Sequence, residues 1–440
     1  MSPLEMGVVI ALVTTLLLFS GAPVAFAMGA AAVGFLVIFD GPRMLGVVAE
    51  NMLSGLDDFT LVSIPMFVLM GAAVASSRAG SDLYEALERW LYKVPGSLVI
   101  SNLGAAAMFA ALTGSSPATC AAIGKMGIPE MRRRGYPADL ATGAIAAGGT
   151  LGILIPPSIT FILYGIATGS SIGRLFLAGV IPGLMLTGLF MMWALFVCWR
   201  KGIGFDARHR IYSWREKFES LPKILPFLVI IAGVIYALYG GIATPSEAAG
   251  VGAALCLVLA VTIYRMWNPK DLWHILKDTT RESVMIMMII ATSILFGYML
   301  SNLFVTQSLA NWIAGLAVGK WVLMLWINIF LLVAGCFLPP AAIILMTAPI
   351  LYPIITQAGF DPIWFGVIVT INMELGLITP PVGLNLYVIN GIAPDVRLPT
   401  ILKGALPFML CMVVQILLLC VFPEIATWLP DTLMGKSVVK

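Results

Sequence analysis

The sequence has few charged residues and almost no histidine. Asp, Glu, Lys and Arg make up 11% of its 440 residues, and its two histidines are His209 and His274. It also lacks a nucleotide-binding P-loop, the G-x-S-x-G turn of serine hydrolases and any His or Cys cluster with metal-ligand spacing. These absences argue against an enzyme. They leave an ion gradient, rather than ATP hydrolysis, as the expected energy source.

Cysteines and a strong net charge are also missing. The six cysteines are scattered through apolar segments without C-x-x-C spacing, so neither structural disulfides nor a cysteine metal site is expected. The net charge is only +3, and the basic residues lie in short loops, so nucleic acid is not an expected partner. Residues 1–21 begin without the basic segment of a secretory signal, so the first apolar helix is expected to stay in the mature protein.

Apolar residues fill most of the chain. They account for 60% of the sequence, and no polar stretch is long enough to fold as a separate soluble domain. This composition predicts an all-α polytopic protein embedded in a lipid bilayer.

The chain contains an internal repeat at a fixed offset. A shift of 224 residues superimposes five helix-breaking positions without a gap. The pairs are Pro129 and Pro353, Gly135 and Gly359, Gly152 and Gly376, Pro156 and Pro380, and Pro157 and Pro381. Because so many breaks coincide, the chain is predicted to consist of two related halves.

Each half is predicted to hold scaffold helices, a hairpin, a helix broken at a Pro-Pro pair and a closing span. The hairpin arms have about 15 residues, or about 22 Å of helix against roughly 30 Å of hydrocarbon, which predicts re-entrant hairpins. The first repeat, residues 1–200, has scaffold helices 6–39 and 60–93, hairpin 98–131, broken helix 138–170 and closing span 173–199. After a basic linker, 201–223, the second repeat, 224–425, has scaffold helices 224–282, span 283–304, hairpin 321–358, broken helix 362–391 and closing span 397–422, followed by a tail, 426–440.

The distribution of charge predicts the orientation. Residues 200–223 carry seven Lys or Arg against three Asp or Glu, which predicts a cytoplasmic location. Residues 40–58 have one Arg and four acids, which fits the outer side. Arg132 to Arg134 place the base of the first hairpin in the cytoplasm, and counting spans brings the second hairpin in from the opposite face. The repeats are therefore predicted to be inverted, with both termini in the periplasm.

The first hairpin tip and the first break are predicted to form a cation site. Within the hydrocarbon of a membrane, a helix break is stable only where protein buries it or a water-filled cavity borders it, because its backbone polar groups need partners. Unwound carbonyls and hydroxyls suit a desolvated Na⁺, whereas helix N-termini beside the break suit an anion. The site would join Ser115, Ser116 and Thr119 at the tip to the break at residues 152–158.

By the repeat, a second cation site is predicted between residues 335–340 and 376–381, with a hydroxyl from Thr379. The alternative is structural, because Ser and Thr hydroxyls often bond back to a helical carbonyl and Pro often only kinks a helix. Four breaks arranged as two matched pairs favour the functional interpretation.

Polar side chains beside the breaks are predicted to face the substrate. They are Thr119 and Ser158 at the first tip and break, with Thr160 and Asn385 just beyond the two Pro-Pro pairs. Hydrogen bonds that pack helices together explain Thr160 and Asn385 equally well. Glu374 lies inside an apolar run, where an acid is a functional candidate that tunes an ion or proton site. Pairing with Asn372, or a position near the membrane surface, is the alternative for Glu374.

Several motifs together resemble the large membrane subunit of tripartite ATP-independent periplasmic (TRAP) transporters. They are residues 113–119, 152–158, 244–249 and 374–385. The likeness covers essentially the whole chain and is greatest to the four-carbon dicarboxylate members. Members that carry sialic acid or a keto acid share the same motifs.

The resemblance implies an elevator-type fold of the ion-transporter superfamily in a bacterial inner membrane. It implies two partners, a small four-helix membrane subunit and a soluble periplasmic protein that delivers an organic acid such as succinate, malate or fumarate. It implies no cofactor other than Na⁺ as coupling ion. The sodium residues it implies here are Ser115, Ser116, Gly152, Pro156, Pro339, Gly376 and Thr379. No extra helices precede residue 6, so the small subunit is expected to be a separate chain.

Three other functions stay open at this point. One is a stand-alone Na⁺/dicarboxylate carrier without a soluble partner. Another is an intramembrane acyl or prenyl transferase that uses Glu374, although no second acid or histidine accompanies it. The third is an assembly scaffold that transports nothing, for which the matched breaks would have no purpose.

Overall fold

The computed structural model describes residues 1–203, 212–315 and 318–435. Within these ranges the chain is all-α, with no β-strand, which confirms the all-α part of the predicted fold class. The described residues form twenty α-helices: α1 (Pro3–Phe19), α2 (Val24–Asp40), α3 (Leu45–Leu56), α4 (Ser63–Ala75), α5 (Ala79–Leu91), α6 (Ser97–Thr113), α7 (Ser116–Arg133), α8 (Ala138–Thr150), α9 (Ile159–Thr168), α10 (Ile172–Lys201), α11 (Trp214–Tyr239), α12 (Pro245–Thr262), α13 (Pro269–Asn302), α14 (Val305–Gly315), α15 (Lys320–Gly335), α16 (Pro340–Gln357), α17 (Pro362–Leu377), α18 (Leu384–Ile392), α19 (Leu398–Val421) and α20 (Glu424–Met434).

Several of these helices have the length of a membrane span. In the described part of the chain, five helices are long and apolar enough to cross a bilayer, namely α10, α12, α13, α16 and α19. The number rises to seven if each of two bent helix pairs counts as one span. Shorter apolar helices, including α6, α15 and α17, are close to 17 residues, too short to cross alone without tilt or thinning.

The segment predicted as the first hairpin falls on α6 and α7. Gly114 ends α6 with φ of 57°, a left-handed conformation that glycine adopts without strain. Ser115 is extended and Pro117 lies in the first turn of α7, so the chain reverses within two residues. The first broken helix consists of α8, a short 3-10 turn at Leu151–Ile153 and, after the cis Pro156–Pro157 bond, α9.

The second half repeats this order of elements. The segment predicted as its hairpin falls on α15 and α16, which are joined through residues 336–339. The helix predicted to break at Pro380-Pro381 consists of α17 and α18, and this Pro-Pro bond is also cis. The closing spans predicted at 173–199 and 397–422 fall on α10 and α19.

The base of the first hairpin lies at one end of α10 and α19, and the base of the second hairpin reaches the other end of α19 through Trp364 of α17. At one end, a Cβ on Gly96, just before α6, would lie 2.6 Å from Cys198 Sγ near the end of α10. Arg132 of α7 forms an ion pair with Asp395, just before α19. At the other end, the Trp364 indole N–H donates to the Leu419 carbonyl at 2.8 Å. The Trp364 ring also contacts Trp321, at the base of α15.

Four segments differ from the predicted organisation. Residues 45–56, interpreted as part of an outer loop, form the amphipathic helix α3. The predicted boundary at residues 282 and 283 is absent from the single helix α13, because no Gly or Pro interrupts residues 270–296. The predicted linker is partly helical, because Ser213 and Glu216 form a capping box that starts α11. The predicted tail begins within α20. Residues 204–211 of the linker and 436–440 of the tail lie outside the described residues.

The buried side chains form two clusters. The larger one contains both hairpins, both broken helices and the closing spans. The smaller one joins α1 and α2 to the end of α13, with Met28, Leu36, Leu295 and Met299 almost completely buried. Between the scaffold helix α4 and the first hairpin the backbones nearly touch, because a Cβ on Gly71 would lie 2.7 Å from the Thr113 carbonyl oxygen.

Candidate transport site

The first hairpin tip packs directly on the first helix break. A Cβ on Gly152 would lie 2.5 Å from the Ser115 carbonyl oxygen and 2.9 Å from Thr119 Oγ1. On the other side of the tip, a Cβ on Gly114 would lie 3.1 Å from the Pro157 carbonyl oxygen. Neither glycine can therefore carry a side chain without moving a backbone segment.

This contact gathers neutral oxygens in a buried position. Thr113 Oγ1 and Thr119 Oγ1 lie 2.8 Å apart. The Thr119 hydroxyl donates to the Ser115 carbonyl at 2.9 Å, which is the bond to a carbonyl four residues earlier that the structural alternative predicts. Both threonines are almost fully buried. Hydroxyl and carbonyl oxygens without a carboxylate are ligands that a desolvated Na⁺ accepts. In the described part of the chain, no group of three or more His, Cys, Asp or Glu side chains has metal-site geometry.

A second contact ties the first hairpin to the second half of the chain. Asn385, in the first turn of α18, donates to Ser116 Oγ at 2.9 Å and to the Ala146 carbonyl of α8 at 3.1 Å. Ser116 and Asn385 are both completely buried. The Cys120 thiol lies 4.0 Å from the Asn385 carbonyl oxygen, on the next turn of α7. The N-termini of α7 and α18 therefore meet over α8.

The second tip and break make an equivalent backbone contact. A Cβ on Gly376 would lie 2.7 Å from the Gly335 carbonyl oxygen, so α17 and α15 touch without an intervening side chain. The Val382 N–H donates to the Cys336 carbonyl at 3.2 Å and links the break to the tip. The Thr379 hydroxyl donates to the Leu375 carbonyl at 2.6 Å, which is the structural bond expected as the alternative.

The two pairs differ in exposure. Around the first break, residues 151–160 are buried apart from half-buried Ile155. Around the second, Pro380, Pro381 and Val382 are exposed, and Phe337 at the tip is 42% exposed. The first site is thus enclosed by the chain itself, whereas the second opens at its surface.

The other predicted residues occupy separate positions. Ser158 caps α9, accepts the Phe161 N–H at 3.4 Å and donates to the Ile153 carbonyl across the break. Pro156 is buried in the same break, and Thr160 is buried in the first turn of α9. Thr160 shares no side-chain hydrogen bond with the other predicted residues that the structure describes. Pro339 is the exposed N-cap of α16.

Glu374 is the most isolated ionisable side chain near the breaks. It is completely buried, and neither carboxyl oxygen has a hydrogen-bond partner among the described residues. The amide of Asn372 points elsewhere, to Asn328 on α15 and to the Ile368 carbonyl. The pairing of Glu374 with Asn372, considered from the sequence, is therefore absent.

Two polar groups near the breaks were not singled out from the sequence. Thr113 belongs to the oxygen cluster of the first tip, and the Asn328–Asn372 bond joins α15 to α17 beside the second tip. A signal for the second existed, because a single Asn inside an apolar arm usually finds a partner across a helix interface.

Comparison with known proteins identifies the family. The family model described as "Tripartite ATP-independent periplasmic transporter, DctM component" matches residues 10–425. The chain belongs to the DctM family of TRAP transporters. The resemblance seen in the sequence is thereby confirmed, as is the prediction that the chain is not an enzyme, because relatives are named as transporter permeases.

Curated TRAP permeases are similar over nearly their full length. The C4-dicarboxylate TRAP transporter large permease protein DctM of Pseudomonas aeruginosa is 37% identical over 397 residues, 90% of this chain and 92% of that protein. The protein of the same name from Vibrio cholerae is 33% identical, with 95% and 96% covered. The sialic acid TRAP permease SiaM of Vibrio cholerae is 32% identical, with 95% and 97% covered.

A solved structure shares the fold. The Alcanivorax borkumensis YdaH transporter superimposes with a TM-score of 0.64 at 16% sequence identity, covering 89% of this chain and 90% of that one. This TRAP large permease is a multi-pass inner membrane protein, as the relatives and the apolar helices indicate.

Proposed function

We propose that this TRAP permease carries out Na⁺-coupled uptake of a C4-dicarboxylate such as succinate, malate or fumarate. The observation that carries the proposal is the pair of close backbone contacts between tip and break, at Gly152 and at Gly376. A purely structural kink has no need for a hairpin tip packed against it. Two such contacts on one chain favour two cation sites beside one substrate position.

The first cation is assigned to the buried oxygens of Thr113, Ser115 and Thr119. They are neutral and mutually close, which suits Na⁺. Thr119 then serves the cation rather than the substrate. Ser116 would contribute through its contact with Asn385, and Pro156 and Gly152 through the backbone of the break.

The second cation is assigned to the backbone at Gly335, Pro339 and Gly376, with Thr379 at its edge. Its position at the surface suits an ion that binds late or leaves early. The substrate carboxylates are assigned to the N-terminal ends of α9 and α18, where Ser158, Thr160 and Asn385 lie, because unsatisfied backbone N–H groups attract an anion.

Glu374 is assigned a proton or a share of a coupling cation. An unpaired carboxylate at membrane depth is costly, so this side chain requires a positive partner or a proton at some stage of the cycle. Gly376, two residues further on, touches the second tip, so an ion there would act on Glu374 at short range.

Inverted repeats and an elevator motion belong to the same proposal. They are supported by the positions of the two hairpin bases, because the first lies beside one end of α19 and the second is joined to the other end through Trp364. The bare contact between Gly71 of α4 and Thr113 of the first hairpin suits a sliding boundary between scaffold and transport unit. The domain division, with both termini in the periplasm, follows from this arrangement and the basic segments.

Partners follow from family membership. A small membrane subunit and a periplasmic binding protein that delivers the acid are proposed for this chain. We propose C4-dicarboxylates rather than sialic acid as the substrate because of sequence identity. A permease named for C4-dicarboxylates is 37% identical to this chain, whereas the sialic acid permease is 32% identical. A stand-alone carrier would work without either partner.

The test is uptake into liposomes that contain the chain and its small subunit. Labelled succinate uptake is followed with an inward Na⁺ gradient, with K⁺ in place of Na⁺, and with or without the binding protein. Uptake that requires Na⁺ and the binding protein is expected, since a coupling ion has to bind the loaded state better than the empty one. Equal uptake in K⁺ would overturn sodium coupling. Full uptake without the binding protein would favour the stand-alone carrier.

A further inference from the structure

A charged cavity lies where three helix ends meet, away from both tips. Its volume is about 450 Å³, and it lies between the start of α8, the end of α10 and the start of α19. Neither tip nor either break lines it. It opens at the same end of α10 as Arg132 and the base of the first hairpin, which is predicted to be cytoplasmic.

The mouth of the cavity carries a surplus of positive charge. Arg200 and Lys201 end α10, Lys403 projects from α19, and all three are exposed. None of them forms an ion pair with another residue that the structure describes. The single acid is Asp139, whose carboxylate accepts the Leu140 N–H at 2.8 Å.

Topology anchoring accounts for cations at this end of the protein, because all three lie at the predicted cytoplasmic side. Arg200 and Lys201 also complement the dipole at the C-terminal end of α10. Lys403 lies near the N-terminal end of α19, where the dipole offers a cation no advantage. The three cations line one cavity, so an anion bound there would interact favourably with all of them.

The walls of the cavity are apolar. Trp193, Phe196, Val197 and Pro407 line it, and the Trp193 and Phe196 rings contact each other with centroids 5.8 Å apart. Trp193 lies about 10 Å along α10 from Arg200, at 1.5 Å per residue. This spacing matches the difference in depth between the lipid headgroups and the acyl chains. Phe196 is 45% exposed, so the wall is open sideways to the bilayer.

Two of the helices that line the cavity, α8 and α19, are in direct backbone contact. A Cβ on Gly404 would lie 1.8 Å from the Asp139 carbonyl oxygen, and one on Gly143 would lie 2.1 Å from the Gly404 carbonyl carbon. This contact brings the backbones that carry Asp139 and Lys403 close together.

We propose that this cavity binds the headgroup of an anionic phospholipid of the inner membrane. The phosphate would lie among Arg200, Lys201 and Lys403, and the acyl chains would lie against Trp193 and Phe196. Basic pockets between membrane helices recognise anionic headgroups in this way. Because α8 leads directly into the first break, the lipid would contact the same unit that carries the proposed sodium site.

The test uses the delipidated full chain in detergent. Dioleoyl phosphatidylglycerol, dioleoyl phosphatidylcholine or inorganic phosphate is titrated in, and bound lipid is counted by native mass spectrometry alongside the thermal unfolding midpoint. Arg200→Gln combined with Lys403→Gln is compared with Lys270→Gln combined with Lys277→Gln. The second pair removes the same charge from exposed positions on α13.

Phosphatidylglycerol is expected to bind and stabilise the wild type more than phosphatidylcholine. The cavity pair should weaken this binding about tenfold or more, since each cation near an anionic headgroup contributes appreciably. The α13 pair should leave it unchanged. The single change Lys403→Arg keeps the charge and should retain binding. This control distinguishes a loss of charge from a folding defect.

Three results would overturn the proposal. One is equal stabilisation by the two lipids. Another is undiminished phosphatidylglycerol binding by the cavity pair. The third is a midpoint shift by inorganic phosphate as large as that by phosphatidylglycerol, which would identify a free-anion site instead.

Discussion

Ser116 and Asn385 lie 269 residues apart in the sequence and share a buried hydrogen bond of 2.9 Å. Ser116 starts the helix after the first hairpin tip, and Asn385 lies in the first turn of the helix after the second Pro-Pro break. The bond therefore joins the first half of the chain to the second at the centre of the proposed site.

Removing the Asn385 amide should loosen this junction. Asn385→Ala leaves the Ser116 hydroxyl and the Ala146 carbonyl without a donor, which should cost about 1–3 kcal/mol of stability. Combining it with Ser116→Ala should cost less than the sum of the single changes. Thermal unfolding in detergent measures both. Asn390→Ala, on the same helix but bonded to the Val396 carbonyl, is the control and should not couple to Ser116. Strict additivity would contradict a direct bond.

The two contact glycines should tolerate no side chain. Gly152→Ala and Gly376→Ala place a methyl group against backbone atoms of the facing tip, which should cost about 1–3 kcal/mol and abolish most Na⁺-dependent uptake. Gly188→Ala on α10, where a Cβ meets nothing within 4 Å, should leave uptake intact. Wild-type uptake by both contact variants would argue against any role of the tip contacts.

Glu374→Gln tests the proton assignment. The amide has the shape of the acid but cannot titrate, so the variant should fold, respond to Na⁺ and lose any dependence of uptake on pH that Glu374 causes. Succinate uptake at fixed Na⁺ gradient and varied pH measures this, and the exposed Glu50→Gln is the control. A pH profile identical to that of wild type would exclude Glu374 as the proton carrier.

Arg134 should be essential for the base of the first hairpin. It lies 2.7 Å from Glu88 of α5 and from Glu130 of α7, and Glu88 is buried. Arg134→Gln leaves the Glu88 carboxylate unpaired, so a loss of about 3–5 kcal/mol is expected. The exposed neighbour change Arg133→Gln should cost little. The thermal unfolding midpoints of the two variants measure this difference. Equal midpoints would show that Glu88 has another partner.

Composition and helix breakers were enough to predict the main elements of the fold. Apolar runs with Pro-Pro and Gly interruptions predicted all-α structure and the positions of α6 to α10 and α15 to α19, because chain breakers act through local backbone geometry. Local sequence signals predicted a false boundary where a helix continues across a change of polarity. The single helix α13 runs through the charged and apolar parts that the sequence divides, since nothing in its backbone stops it.

Contacts between distant residues were decided only by the tertiary structure. That Gly152 packs on the Ser115 carbonyl, that Asn385 bonds to Ser116, and that Glu374 has no hydrogen-bond partner among the described residues depend on which helix faces meet. An apolar helix in a membrane shows little amphipathic pattern, because both lipid and protein neighbours are apolar, so its sequence hardly records which side faces inward. The sequence alone thus determined the family, the fold class and the breaks, whereas packing between the two halves determined which polar groups share a site.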